Sequence, residues 1–237
     1  MRAVGARPGS VVPASTGSAG TLESVYGGSA TPPRVEAADP LEGVAIRVVP
    51  SVGDPEVGFA AFLDGIQRSV VVGHFGTTIP VVHGTVAAAI RERSDRVMST
   101  WGAGARIEHA LFLPIGLAPS GAADDLRAEG FAVIDTTPSG ESSGHPHELI
   151  GFARQAIQQR REEGEAALAR EWCAAETRPL YVDGGIGAFA NATQSPGAVG
   201  VIKSHHTLYV EAALAPLVAG LGLGERTTAF LVSTRQR

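Results

Sequence analysis

A single long helical pattern, HELIGFARQAIQQRREEGEAALAREWCAA at residues 147 to 175, divides the chain into two unlike halves. It is rich in Ala, Glu, Gln and Arg, all strong helix formers. Upstream, the periodicity is that of strands. GFAAFLD reads as a buried strand ending on Asp64, SVVVGHF as a second, and IPVVHGTVAAAI as a third or a strand running into a helix. The links between them are short and polar or glycine-containing, which makes antiparallel neighbours. Downstream, RPLYVDGG and AVGVIKSHH read as strands, and TLYVEAALAPLVAGL as a helix that ends at glycines. Strands separated by helical segments favour parallel pairing.

That order of elements is the order of the ribonuclease H-like architecture. The expected fold class is therefore α/β, with a ribonuclease H-like mixed sheet flanked by helices, its first three strands antiparallel and the later ones parallel. With 237 residues the chain can bury a real core, and 44% hydrophobic against 18% charged residues excludes a mostly disordered protein. Residues 1–40 are rich in Gly, Ser, Ala, Thr and Pro without a sustained apolar period, so they are expected to be a flexible leader to a folded domain over 41–237. Cys173 is the sole cysteine, which excludes an internal disulfide framework and a multi-cysteine zinc site and makes a reducing cytoplasm the default. The amino-terminal stretch lacks a signal-type apolar core, and the most apolar late stretch carries Glu211 and Pro216, so no membrane span is expected. A net charge of −5 is not that of a self-sufficient DNA binder, and nucleic-acid contact would have to come from a local patch or a partner.

Two apolar runs end on the same device. FLDGIQRS places Asp64 before Gly65, and LYVDGGIGAF places Asp183 before Gly184. Asp-Gly commonly does no more than turn the chain. The chemical alternative is that two adjacent strands bring both carboxylates to one sheet edge, where their repulsion is offset by a hard divalent cation. A third carboxylate would come from the long helix. Stepping about 100° per residue from Ile157, Ile150, Ala153, Gly164, Leu168 and Trp172 share one face, with Glu165 at its edge beside Trp172. Glu171 also falls near that face and is a rival, whereas Glu162 and Glu163 point further round toward solvent. Glu165 has a second reading, as the partner of Arg161 one turn back.

The series FLDGIQRS, RREEGE on a helix, LYVDGGI and VGVIKSHH resembles the NurA-type nuclease domain over about residues 58 to 235. In that family a first strand ends in Asp-Gly, a helix carries Glu a few residues after Arg, a later strand ends in a second Asp-Gly, and a Gly-Val-x-Lys segment follows. The resemblance implies a metal-dependent DNA nuclease, with Asp64, Glu165 and Asp183 holding manganese or magnesium and Lys203 near the scissile phosphate. Arg68, just after the first Asp-Gly, is placed to touch the nucleic-acid backbone. His205 and His206 are candidate proton carriers close to Lys203, but as neighbours on a strand they point to opposite faces, so at most one serves the site. The resemblance further implies a homodimer acting on DNA with a HerA-like hexameric ATPase. The family pattern continues past FLVSTRQR with an aromatic- and histidine-containing segment, so the domain is expected to be incomplete at its C-terminal end. Two other classes stand beside the nuclease: a NurA-like binding module without activity, and an actin-like phosphotransferase. The latter lacks a convincing later phosphate loop, and no GxxxxGK[ST] motif occurs.

Overall fold

A computed structural model describes residues 34–35, 39–52, 58–186, 195, 197–202 and 207–231. The chain divides into two compact units, Gly53–Lys203 and a second made from Met1–Val52 with Ser204–Arg237. The expected leader falls almost wholly outside the described residues.

The larger unit is a mixed α/β layer. Its elements are β1 (Ala61–Phe75), β2 (Ile79–Ser94), β3 (Val97–Thr100), β4 (Arg106–Leu113), α1 (Ala122–Ala128), β5 (Val133–Asp135), α2 (Pro146–Ala175), β6 (Leu180–Asp183) and β7 (Ala198–Val201). They form a seven-stranded sheet in the order β7-β6-β1-β2-β4-β5, with β3 pairing the outer end of β2. The β1, β2 and β4 strands are antiparallel. On one side β6 runs parallel to β1 and β7 parallel to β6, and on the other β5 runs parallel to β4.

Helix α2 begins where the sequence can cap it. The His145 ring accepts from the His147 backbone N–H, and Pro146 occupies the first turn, where its missing N–H costs nothing. The helix lies across one face of the sheet. Leu168, Ala169 and Trp172 pack on Ala61, Leu63, Ile90, Leu180 and Val182, while Ala153 and Ile157 pack on Val82, Val86 and Phe112. Gly84 permits the second contact: a Cβ there would fall 2.6 Å from Phe112 and 2.8 Å from Ile157. At the far end Trp172 is fully buried, donates its indole N–H to the Arg178 carbonyl at 3.0 Å and meets Trp101 edge-on.

Several expectations change. GFAAFLD and SVVVGHF are not two strands but parts of β1, because IQRS stays extended and pairs with β2 throughout. The third antiparallel strand is RIEHALFL, and IPVVHGTVAAAI is the second. The expected helix over TLYVEAALAPLVAGL reduces to a strand pair at Thr207–Leu208, a 3-10 turn at Ala212–Leu214 and a short helix at Ala215–Ala219. Pro216 sits in the first turn of that helix, where proline is tolerated, and Gly220 closes it. On α2 the buried residue of the first turn is Leu149 rather than Ile150.

The smaller unit is built from short pairings between distant segments. Val48–Pro50 runs antiparallel to Glu225–Thr227, Asp39–Pro40 antiparallel to Phe230–Leu231, and Arg34–Val35 parallel to Thr207–Leu208. Arg226 pairs with Glu42, and the buried Thr228 hydroxyl accepts from the Arg47 backbone N–H and donates to the Ala45 carbonyl.

Candidate functional site

The register of β1 and β6 fixes the two aspartates. Ala61, Phe62 and Leu63 lie opposite Leu180, Tyr181 and Val182. One residue further along each strand come Asp64 and Asp183, so the two carboxylates arise side by side on neighbouring parallel strands. Strands in a sheet are about 4.8 Å apart. Asp64 lies in the fourth position of a fifteen-residue strand rather than at its end, which corrects the expectation of an Asp-Gly stop. Asp183 does end its strand, and Gly184, at φ 108°, starts the turn.

Side chains alternate between the faces of a strand. Leu63 and Val182 are buried beneath α2, so Asp64 and Asp183 belong to the opposite, exposed face together with Phe62 and Tyr181. The Gly65 backbone N–H donates to Asp64 Oδ1 at 2.8 Å.

Glu165 approaches β1 from the helix side, on the face opposite Asp64 and Asp183. It is buried, at 7% exposure, and its carboxylate fills the space that a side chain at position 65 would take: a Cβ on Gly65 would fall 2.2 Å from Glu165 Oε1. Gly65 is therefore a strand residue kept small for a carboxylate and not a turn residue. Arg161 binds Glu165 through Nη1, and its Nε donates to Gln67 Oε1 at 3.1 Å. Burial pushes the Glu165 carboxyl above its ordinary range. The Arg161 charge and hydrogen bond pull it back, and the nearby charges of Asp64 and Glu162 push it up again. Both sequence readings of Glu165 thus meet in one residue: it is the ion-pair partner of Arg161, and it lies within electrostatic reach of Asp64.

The other candidates separate. Glu171 is half-exposed and bound by Arg106 at 2.6 Å. Glu162 accepts from Gln158 and neighbours Arg161. Arg68 is exposed on β1, on the face of Asp64 and opposite Thr85. Lys203, His205 and His206 lie outside the described residues. Among the described residues no three of His, Cys, Asp and Glu are grouped to hold a metal ion, so Asp64, Glu165 and Asp183 do not form a ready three-ligand set.

Gln67 and Arg161 were not singled out as site residues in the sequence. Their signal was spacing: Gln67 is two residues beyond Gly65, hence on the same face of β1, and Arg161 is one helical turn before Glu165. No described helix is long and apolar enough to cross a membrane. No family model matches the chain, and no curated protein matches it either.

Proposed function

We propose that this chain is a divalent-metal-dependent deoxyribonuclease of NurA type, built on a ribonuclease H-like sheet and acting in DNA end processing. One observation carries the reading: Asp64 and Asp183 follow directly on the last paired residues of two adjacent parallel strands. Hard oxygen donors carried by neighbouring strands suit Mn2+ or Mg2+, whose charge would offset repulsion between carboxylates brought together. When bound, such an ion lowers the pKa of a water and stabilises the leaving oxygen of a phosphodiester.

The residues then have distinct tasks. Asp64 and Asp183 hold the cation at the exposed face. Glu165, whose affinity for a proton is raised chiefly by burial, is held by Arg161 on the helix side of β1 and would join the set only by exchanging that partner and turning past the strand at Gly65. Arg68 binds a phosphate of the substrate strand. Lys203 neutralises charge growing on the scissile phosphate, by resemblance, and His205 or its neighbour His206 carries a proton. An acidic chain gains little duplex affinity from its overall field, so a homodimer seated on a HerA-like hexameric ATPase that feeds it DNA in the cytoplasm completes the proposal.

The test is a cleavage assay on single- and double-stranded DNA with Mn2+, Mg2+ or chelator. Wild type is expected to cut with metal, and Asp64→Asn and Asp183→Asn to lose at least about 100-fold, in line with loss of transition-state charge stabilisation. A pure protein that cuts with neither metal, alone or with the ATPase, overturns the reading.

A second reading has an observation of its own. Glu165 is engaged by Arg161, and no three-ligand group is assembled among the described residues. This favours a NurA-like binding module without activity. Calorimetry separates the two, because only the nuclease requires divalent-ion binding that disappears in Asp64→Asn and Asp183→Asn.

A further inference from the structure

The sheet face that bears Asp64 is open, whereas α2 covers the other face. Its side chains form rows across β1, β2 and β4, spaced by two residues or ~7 Å. Ile66, Ala87 and Ile107 make the central row, and the two isoleucines are 69% and 61% exposed. One row to one side, Asp64 lies opposite Ala89. One row to the other, Arg68 lies opposite Thr85, whose hydroxyl is 3.0 Å from His109 Nδ1. A further row out on β1 come Phe62 beyond Asp64 and the exposed Val70 beyond Arg68.

Along β1 this face therefore reads apolar, acidic, apolar, cationic, apolar, with Ile66 at the centre. An exposed apolar patch with a polar margin marks an interaction surface, and the order of its charges selects the occupant. Turned end for end about Ile66, the pattern sets apolar against apolar and acid against cation, so the face is complementary to itself. A two-fold axis along the central row brings two copies into that relation, the same patch serving on both. Sheets stack ~10 Å apart, a gap that facing aspartate and arginine side chains span together. The rotation lays the central row over the partner's central row, Phe62 over the partner's Val70, and Asp64 over the partner's Arg68, the last two contacts each made twice. Both charges lie only one row from the axis, so the ~30° crossing of aligned sheets moves them little. Asp183, on β6, lies beside this three-strand patch, and the complementarity does not draw on it.

We propose that two copies of this chain close face to face through the open sheet face, Asp64 of each paired with Arg68 of the other, and that the closed dimer is a resting form. The patch is five rows or ~27 Å long and three strands wide, small for a specific interface, which makes the contact a transient one that opens readily. Closure hides Asp64 from a cation and Arg68 from a phosphate. The regulatory part of the inference rests on the nuclease reading, in which metal and DNA compete with the partner for these two side chains and open the pair.

The experiment is sedimentation velocity of the full chain, without metal or DNA, from low to high micromolar concentration. Arg68→Asp and Asp64→Arg each set like charges against one another, and each is expected to raise the dimer Kd at least about 10-fold. Mixed in equal amounts, the two variants are expected to regain a dimer of wild-type affinity, because both cross-pairs are then of opposite sign. Ile107→Glu, in the central row and away from both charges, is expected to give the same loss as the single variants, and it decides the matter should either of them fail to fold. At concentrations where wild type is closed, Ile107→Glu is also expected to cut DNA faster with Mn2+, its aspartates being open. A wild-type chain that stays monomeric, or a dimer indifferent to these changes, overturns the inference, and an active Ile107→Glu monomer that cuts no faster than the wild-type dimer overturns the resting form. The two readings fail separately. Metal-dependent cleavage by a chain whose association ignores these charges removes the closed dimer and keeps the nuclease, whereas a charge-dependent dimer that cuts in no metal, opened by Ile107→Glu or not, keeps the surface and removes the nuclease.

Discussion

A carboxylate that is buried, clamped by one arginine and repelled by another carboxylate has a pH signature of its own. The Glu165 carboxyl takes up its proton above the ordinary value of 4.5. Below that value the folded and unfolded chains both hold the proton, and stability is indifferent to pH. Between that value and the raised one, only the folded chain holds it, so stability falls as pH rises and levels off above the folded pKa. Glu165→Gln removes the charge and keeps the shape. Melting temperatures of wild type and Glu165→Gln are therefore expected to diverge as pH rises through this window, with wild type losing ground, and Mn2+ is expected to shrink the divergence by supplying the missing counter-charge. Parallel pH profiles would show that the carboxylate is not under this strain. Asp64, Asp183 and Glu165 were all legible as candidates because acidic residues at the end of apolar runs, or on an otherwise apolar helix face, are anomalous. The role of Gly65 was not legible. Asp-Gly is read as a turn by its local preference, and only the helix lying over the strand reveals that the glycine makes room for Glu165.

At the scale of elements, two glycines of the sheet make the contact between α2 and its bed, and they differ in what a methyl group would meet. At Gly84 it would press on Phe112 and on Ile157, which are both fully buried. Gly84→Ala is expected to cost about 1–3 kcal/mol as an overpacked core site. At Gly65 the obstacle is the end of the Glu165 side chain, so Gly65→Ala is expected to cost about 1 kcal/mol while abolishing the proposed metal-dependent cleavage by displacing the carboxylate. Chemical denaturation followed by tryptophan fluorescence measures both, since the only two tryptophans, Trp101 and Trp172, form one edge-on pair at the end of α2. A larger stability loss at Gly65 than at Gly84 would contradict this view of the interface. The helix itself was legible almost to its ends because its composition and its cap are local. The division of the strands was not. IQRS looks like a link by polarity, yet β1 runs through it, since the open face of the sheet lets polar side chains alternate without ending the strand.

Across the whole molecule, element order carried the antiparallel-then-parallel sheet, because hairpin spacing and helix alternation are visible in one dimension. The smaller unit was hidden for the opposite reason: its strands are two or three residues long and pair segments from the two ends of the chain, such as Val48–Pro50 with Glu225–Thr227, which leave no periodic trace. Charge is the remaining global property, and it bears on how DNA would be held under the proposed function. A net charge of −5 opposes a polyanion at long range, and among the described residues of the open face the cations within reach of a strand are few. Arg68 is exposed, Arg91, opposite Phe62, is held by Thr100 and the Met98 carbonyl, and Arg93, two residues further along β2, is exposed. Each neutralised phosphate of a single strand contributes about −0.7 to the slope of log K against log salt. Two such contacts give a slope of about −1.4. Titration of the isolated chain with single-stranded DNA over a range of salt is expected to return this shallow slope, with Arg68→Ala making it shallower by about 0.7. A slope steeper than about −4 would place the main nucleic-acid contact on another, more basic surface. A shallow slope would fit the proposed nuclease with a motor presenting its substrate, since weak electrostatic capture would let a strand slide across the aspartates between successive cuts.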